Sequence, residues 1–304
     1  MLTLVFQDGS ARVRDTPKPR PRPGFALVRV IASGICDTDL ELRRGYHGFS
    51  GIPGHEFVGR VEGPAGSPSL GKRVVGEINL GCGRCEWCRG GLRRHCAKRR
   101  VLGILRHPGA HAEYLTLPEQ NLYAVPQTVS DEEAVFVEPL AAACEILDQV
   151  EVSAKTRAAV LGMGKLGSLC AAVLEDAGAQ VARLGRASRA RARSFDLVVE
   201  ATGSPRGMPR ALEIVRPRGT IVWKSTYHSP ARFDAAPLVV NEITVVGSRC
   251  GRFEPALDLL RRGRIDVSRL LSAEFPLSRA AGALATAARP GVRKVLLRPD
   301  VRAR

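Results

Sequence analysis

The chain has 304 residues with 44% hydrophobic content, which predicts about two domains and a large buried core. No apolar run approaches the ~20 residues of a membrane helix, and the first residues lack the basic start and apolar stretch of a secretion signal, so we expect a cytoplasmic protein without a membrane partner. The net charge of +16 comes from 39 arginines and seven lysines spread along the chain, without the interleaved aromatic side chains that stack on bases, so we expect a solvated basic surface and no nucleic-acid partner.

The first 78 residues are rich in short apolar–polar alternations separated by turn residues. The alternating stretches are LTLVF, ALVRVIAS, EFVGRVEG and KRVVGEI, and the proline-rich PKPRPRPG lies between the first two. Many short strands with frequent glycine predict a small β-barrel.

Three potential zinc donors accompany these strands. Cys36 lies in GICDTDL and His55 in GIPGHEFVG, where Glu56 follows it directly. Glu138, within VFVEPLAAACEI, is the best third candidate. Thiolate, imidazole and carboxylate are the donors that zinc prefers, and a catalytic zinc keeps three of them and one open position. The alternative is a buried cysteine, a loop histidine and a helix-capping glutamate.

Four further cysteines form a compact lobe at residues 80–98. Cys82, Cys85, Cys88 and Cys96 follow the spacing Cys-x2-Cys-x2-Cys-x7-Cys, with glycines that let the backbone bend around an ion. Four thiolates leave no open position, so we expect a structural zinc. An iron–sulfur cluster is the alternative.

These motifs, in this order and spacing, resemble those of the zinc-dependent medium-chain dehydrogenases over essentially the whole chain. The glutamate in EPLA resembles the sorbitol, glucose and threonine dehydrogenase branches. The resemblance implies that Cys36, His55 and Glu138 bind the catalytic zinc and that Glu56 is a possible transient ligand. It also implies that Thr38 relays the alcohol proton and that Asp39 binds the ligand histidine.

The segment 133–150 is predicted to form one helix, with Glu138 near its start, leading into a nucleotide-binding domain. RAAVLGMGKLGSLCAAVLEDAG then places Gly162, Gly164 and Gly167 between an apolar strand and an apolar-periodic helix. That context predicts a dinucleotide site in which pyrophosphate binds at the helix start, beside Lys165 and Leu166. By resemblance, Thr202 and Gly203 lie beside the cofactor and Lys294 binds its phosphate.

The second strand of this domain, QVARLG, is not followed by the acidic residue that binds the ribose of NAD. Arg186, Ser188 and Arg189 stand there instead and predict a site for the 2′-phosphate of NADP. Only residues 186–194 separate QVARLG from FDLVVEATG, whereas the resemblance implies a helix and a third strand in between. Nine residues that must cross the sheet and return along a strand have to be mostly extended.

We therefore expect an α/β protein with a GroES-like β-barrel catalytic domain (1–147), a shortened Rossmann domain with a doubly wound parallel sheet that lacks its third strand (148–264), and a return to the first domain (265–304). The expected activity is hydride transfer between an alcohol or polyol, or the matching carbonyl, and NADP(H) in preference to NAD(H), with two zinc ions per chain. A homodimer or homotetramer is implied by the resemblance. The alternatives are a member of this fold without hydride transfer, acting as a nucleotide-binding or regulatory protein, and a basic nucleic-acid-binding protein.

Overall fold

The computed structural model describes residues 1–227 and 230–300, and their contacts divide the chain into two compact units. The first unit contains Met1–Glu138, Leu260–Arg262 and the chain from Asp266 onward, and the second contains Pro139–Leu259 and Gly263–Ile265. The chain thus leaves the first unit and returns to it near its end. The predicted boundary after residue 147 falls nine residues beyond this division, and the predicted domain limits stay a prediction.

The described residues form seventeen strands and nine α-helices. The strands are β1 (Leu2–Gln7), β2 (Ser10–Asp15), β3 (Phe25–Ile35), β4 (Glu56–Gly63), β5 (Arg73–Gly76), β6 (Asn79–Leu80), β7 (Arg100–Leu102), β8 (Arg106–His107), β9 (Tyr114–Pro118), β10 (Leu122–Ala124), β11 (Arg157–Leu161), β12 (Gln180–Leu184), β13 (Phe195–Glu200), β14 (Val215–Trp223), β15 (Thr244–Gly247), β16 (Leu271–Pro276) and β17 (Lys294–Arg298). The α-helices are α1 (Asp37–Arg43), α2 (Glu86–Arg89), α3 (Asp131–Val135), α4 (Val137–Gln149), α5 (Lys165–Asp176), α6 (Gly207–Ile214), α7 (Ala236–Val240), α8 (Phe253–Arg261) and α9 (Ala280–Ala287).

The first unit is built around β3, the longest of these strands. Its sheet has the order β10-β5-β4-β3-β17-β16, and β9 also pairs with β3. β3 therefore has neighbours along both edges, and most residues of FALVRVIASGI are buried. The hairpin β1–β2 and the small sheet β6-β7-β8 complete the unit.

The segment 133–150, predicted as one helix, forms two helices that meet at Phe136. α3 ends at Val135 and α4 begins at Val137. Proline at position 139 has no backbone N–H to give to the carbonyl of Val135, and its ring would clash with that carbonyl in a continuous helix. The helix therefore breaks one turn before Pro139, and Glu138 lies in the first turn of α4.

The second unit carries five parallel strands in the order β12-β11-β13-β14-β15. β11 is buried from its second residue onward, and the buried residues of α5 include Leu169, Cys170 and Val173. The strand order is that of a Rossmann sheet from which the third strand is missing.

The link between β12 and β13, which the structure describes completely, contains neither a helix nor a strand. This confirms the prediction that the domain lacks its third strand and the helix before it. β12 is consequently an edge strand that pairs with β11 alone. Ala190, in the middle of the link, packs against the apolar cluster formed by β11, β13 and α6 and covers part of the sheet that a helix would otherwise cover.

None of the described helices combines the length and hydropathy that crossing a bilayer requires.

Candidate zinc centres and nucleotide site

The first candidate metal centre lies where β3 ends. In the sheet, Gly34 is opposite Glu56 on β4 and opposite Leu296 on β17. This register brings together Cys36, which follows β3 and caps α1, and the His55–Glu56 pair at the start of β4. The donor atoms of Cys36, His55 and Glu56 all lie within 4.8 Å of one another.

A buried ion pair lies beside these donors. The ammonium of Lys294, at the start of β17, donates to Oε2 of Glu56, and both side chains are at most 2% exposed. Gly34 makes room for the pair, since a Cβ there would lie 2.6 Å from Glu56 Oε2 and 3.1 Å from Lys294 Cδ. The predicted contact between Lys294 and a cofactor phosphate stays a prediction; the described partner of its ammonium is Glu56.

Glu138 approaches the same centre from α4, although it is not part of the group within 4.8 Å. Burial raises the pKa of Glu138 to about 7, and the neighbouring Glu56 acts in the same direction. Burial alone would lower the pKa of His55, yet the Cys36 thiol, Asp39 and Glu138 raise it well above its ordinary value. The surroundings of His55 therefore favour positive charge, as a cation site requires.

Asp39 binds the backbone at Cys36 and at Gly54, the residue before His55. Its Oδ2 accepts from the Cys36 N–H at 2.8 Å, and its Oδ1 accepts from the Gly54 N–H at 3.2 Å. Oδ1 also faces Nδ1 of His55 at 3.7 Å, which is beyond hydrogen-bond distance. His55 Nδ1 is buried and has no hydrogen-bond partner among the described residues. A small rotation of the ring would let Nδ1–H donate a hydrogen bond to Asp39 and leave Nε2 free to bind a metal.

His111 is a second imidazole on the other side of Asp39, and it was not among the predicted site residues. It is fully buried, with Nε2 at 3.5 Å from Asp39 Oδ2 and Nδ1 at 2.9 Å from Ser33 Oγ. Burial alone would raise the pKa of Asp39, but His111 and then His55 lower it to about 2, so the carboxylate stays charged. His111 also packs tightly on Gly54, where a Cβ would lie 2.7 Å from its ring.

The donor set fits zinc. It offers one thiol, one imidazole and two carboxylates in a buried pocket, and these are the ligand types of catalytic zinc sites. Thr38 lies beside the thiol, with Oγ1 at 3.7 Å from Cys36 Sγ. The set would therefore hold a zinc ion with a hydroxyl group beside its thiol ligand.

The second candidate centre is the four-cysteine lobe. The sulfur atoms of Cys82, Cys85, Cys88 and Cys96 all lie within 4.8 Å of one another, and all four cysteines are free thiols. Backbone N–H groups of Arg84 and Cys85 lower the pKa of Cys82 to about 6, which favours its thiolate. The Cys88 N–H would lower the pKa of Cys85, but burial and the neighbouring thiols raise it to about 11. Four sulfur donors at these distances suit a closed tetrahedral zinc.

The glycine-rich turn of the second unit has the geometry that a dinucleotide site needs. Gly162 has φ +92°, and a Cβ there would lie 2.6 Å from Ala201 O. Gly167 packs so closely on the turn that its Cβ would lie 1.8 Å from Gly162 O. A Cβ at Gly164 would meet open space, which leaves the start of α5 accessible to an anion. Lys165 and Leu166 form the first turn of α5.

A buried carboxylate organises the turn after β13. Glu200 ends this strand with no exposed surface, and its Oε1 accepts from both the N–H and the hydroxyl of Thr202. Gly203 N–H donates to Ser225 Oγ at 2.8 Å. Thr202 and Gly203 are therefore held at the carboxyl end of the sheet, where Rossmann folds bind nucleotides.

The three residues predicted to bind a 2′-phosphate differ in their surroundings. Arg186 lines an open cavity at the carboxyl end of the sheet, whereas Ser188 and Arg189 are not among its lining residues. The Ser188 hydroxyl accepts a hydrogen bond from the Gly185 N–H at 3.0 Å.

Comparisons with known proteins agree with this arrangement. Residues 22–127 match the family model "Alcohol dehydrogenase GroES-like domain", and residues 165–262 match "Zinc-binding dehydrogenase". The chain is 30% identical to D-altritol 5-dehydrogenase of Agrobacterium fabrum over 90% of this chain and 91% of that protein. It is 26% identical to sorbitol dehydrogenase of Halalkalibacterium halodurans over 89% and 90% of the two chains.

A solved structure has the same fold over nearly its whole length. It is a zinc-binding dehydrogenase from Sinorhizobium meliloti 1021 bound to NADP, with a TM-score of 0.89 and 27% identity, covering 98% of this chain and 99% of that one. These findings favour the oxidoreductase interpretation over a binding or regulatory protein. The chain belongs to the zinc-type medium-chain dehydrogenase/reductase family, whose members transfer hydride between an alcohol and a nicotinamide cofactor.

Proposed function

We propose that this dehydrogenase oxidises a polyol, or reduces the matching ketose, with zinc bound by Cys36, His55 and Glu138 and with NADP(H) as the preferred cofactor. The observation that carries the proposal is the group formed by Cys36, His55 and Glu56 within 4.8 Å at the end of β3. Glu138 approaches this group from α4, where burial raises its pKa to about 7 and the charge of His55 acts on it. Glu56 belongs to that group and serves as an alternative carboxylate ligand.

The residues of the chain have separable tasks in this reaction. Zinc supplies Lewis-acid polarisation of the substrate hydroxyl, and the nicotinamide supplies the hydride acceptor. Thr38, beside Cys36, receives the hydroxyl proton and passes it outward. Asp39, next to His111, would accept Nδ1–H of His55 after a small rotation of the ring and so orient the imidazole. The turn at Gly162–Gly167 binds the pyrophosphate at the start of α5.

The polyol assignment rests on the activities by which the similar proteins are named. Altritol and sorbitol are open-chain polyols, and the two enzymes cover about nine-tenths of this chain. The cofactor preference rests on charge. No acidic residue occurs between Gln180 and Arg193 to repel a 2′-phosphate, and Arg186 lines the adjacent cavity.

A panel of C5 and C6 polyols and secondary alcohols, assayed with both cofactors, tests the proposal. We expect turnover of at least one polyol, with kcat/KM for NADP roughly ten- to a hundredfold above that for NAD, because one charge-assisted hydrogen bond contributes about 1.5–3 kcal/mol. Arg186→Ala should reduce this ratio, while Arg191→Ala, at an exposed arginine of the same link, should not. Absence of polyol turnover by protein with full zinc content would contradict the substrate class, and equal use of NAD would contradict the cofactor preference.

Two zinc ions per chain are proposed because the described residues hold two separate donor groups. The second group consists of four free thiols, which persist in a reducing compartment, and on this ground we propose the cytoplasm as the location.

We also infer a homodimer that forms through β15. This strand is an edge of the five-stranded sheet, and Val239 and Val240 on the preceding α7 are 80% and 78% exposed. An exposed edge next to apolar side chains favours pairing with a second copy. Sedimentation should give twice the 32.7 kDa chain mass, and Val240→Asp should shift it towards the monomer. Leu70→Asp, at an exposed leucine of the first unit, should leave the mass unchanged; a monomeric wild type would contradict the inference.

A further inference from the structure

An open cavity of about 640 Å³ lies at the carboxyl end of the parallel sheet, beside the short link between β12 and β13. This volume is within the range of small-ligand sites. It is lined by Gly162, Met163, Gly185, Arg186, Thr202, Ser204, Arg206, Gly207 and Arg210. Three of these nine residues are arginines, and none of the described lining residues is acidic. The cavity therefore has the charge of a site for an anion.

Two of the arginines come from α6. Arg206 is the residue that precedes the first turn of this helix, and Arg210 follows four positions later, so both side chains lie on the same side of it. The guanidinium of Arg206 is exposed and has no hydrogen-bond or ion-pair partner among the described residues. It is therefore available to a ligand.

Arg210, unlike Arg206, donates hydrogen bonds to backbone carbonyls at the link. Its Nη1 donates to Gly185 O at 3.1 Å, and its Nη2 donates to Ser188 O. The two contacts hold the link on either side of Arg186. With no third strand beside β12, this arginine is what ties the start of the link to the neighbouring helix. It fixes the point from which Arg186 reaches the cavity.

From this geometry we propose that Arg206 binds the 2′-phosphate of NADP(H) together with Arg186, and that Arg210 is a positioning residue for Arg186. The inference rests on the proposed preference for NADP(H). It places part of the 2′-phosphate site on α6, outside the segment 186–189 in which the sequence predicted this site. A 2′-phosphate adds up to two negative charges, and guanidinium groups from two sides can pair with its oxygens. The shortened link thus shares phosphate recognition with a helix.

Binding of the nucleotides themselves tests the inference without any turnover. Fluorescence titrations give the Kd values of NADPH and NADH, and competition gives those of adenosine 2′,5′-bisphosphate and adenosine 5′-monophosphate. Comparison within each pair gives the contribution of the 2′-phosphate to the binding free energy. Arg206→Ala should raise the Kd of NADPH and of the bisphosphate roughly ten- to a hundredfold, as expected for the loss of one charge-assisted contact. The Kd of NADH and of the monophosphate should change less than about threefold, since they lack that phosphate.

The matched control is Arg191→Ala, which removes the same charge from an exposed position of the link that does not line the cavity. It should leave all four affinities unchanged. Arg210→Ala should lower the preference for NADPH over NADH, and Arg210→Lys should restore part of it through one carbonyl contact. If Arg210→Ala weakens the binding of NADPH and NADH equally, Arg210 has a merely structural role and is not a positioning residue for Arg186.

The wild type separates failure of the inference from failure of the proposed function. If the wild type prefers NADPH and Arg206→Ala keeps that preference, the role of α6 is refuted while the proposed cofactor stands. If the wild type binds NADH as tightly as NADPH, the cofactor preference itself is refuted, and the inference with it.

Discussion

Cys36→Ser is expected to lower kcat/KM by roughly a thousandfold or more, since zinc contributes several kcal/mol to the transition state. Serine provides a hydroxyl where zinc requires a thiolate, so one of the two zinc ions should be lost. The fold should survive, because Cys36 caps α1 and serine is a favoured residue at that position. On the same sample, elemental analysis checks the zinc content, steady-state kinetics check kcat/KM, and a thermal melt checks the fold.

Cys250→Ser is the control for this substitution. It makes the same chemical change at a half-buried cysteine outside both donor groups, so activity and zinc content should stay at wild-type levels. Glu138→Ala should resemble Cys36→Ser in kinetics if Glu138 is the carboxylate ligand. Retention of both activity and two zinc ions in Cys36→Ser would refute the catalytic assignment.

Cys85→Ser is expected to lower the thermal stability of the protein. A structural zinc contributes its binding free energy to folding, and loss of a metal belongs to the few causes of changes above about 4 kcal/mol. Between β6 and β7 the lobe has only short elements, α2 of four residues and one 3-10 turn at Arg93–His95, so little packing can replace the metal. We expect one zinc to be lost and the midpoint of thermal unfolding to fall by about 10 °C or more.

The contrast between the two serine variants is the decisive comparison. Each should lose one zinc, but Cys36→Ser should lose activity at nearly unchanged stability, whereas Cys85→Ser should lose stability first. If Cys85→Ser keeps its zinc content and its unfolding midpoint, the lobe does not hold a structural zinc.

Local sequence patterns predicted much of both sites. The spacing of the four cysteines predicted a compact donor group, and the structure brings the four sulfur atoms together. The glycine pattern predicted a tight turn, an open helix start and close packing, and Gly162, Gly164 and Gly167 have these surroundings. The nine-residue length of the link predicted the absence of the third strand and of the helix before it. Each of these signals depends on residues close together in the chain.

The parts that were missed depend on sheet register and side-chain direction. Glu56 and Lys294 are 238 positions apart and meet because β3 lies between β4 and β17. His111 reaches Asp39 from the segment before β9, and nothing in HPGAHAEY indicates that contact. Arg206 and Arg210 were hidden by the general abundance of arginine. Their role follows only from the cavity that α6 shares with the link.

The position of β12 at the edge of its sheet also links ligand binding to folding. A strand with one neighbour needs to break only one ladder of hydrogen bonds to open locally, so it is among the less protected parts of a sheet. A ligand that binds only the closed form stabilises it in proportion to the logarithm of its concentration. The nucleotide proposed to bind at the end of β12 would therefore also stabilise the strand that lost its outer partner, and occupancy of the cofactor site would set the local stability of that side of the domain.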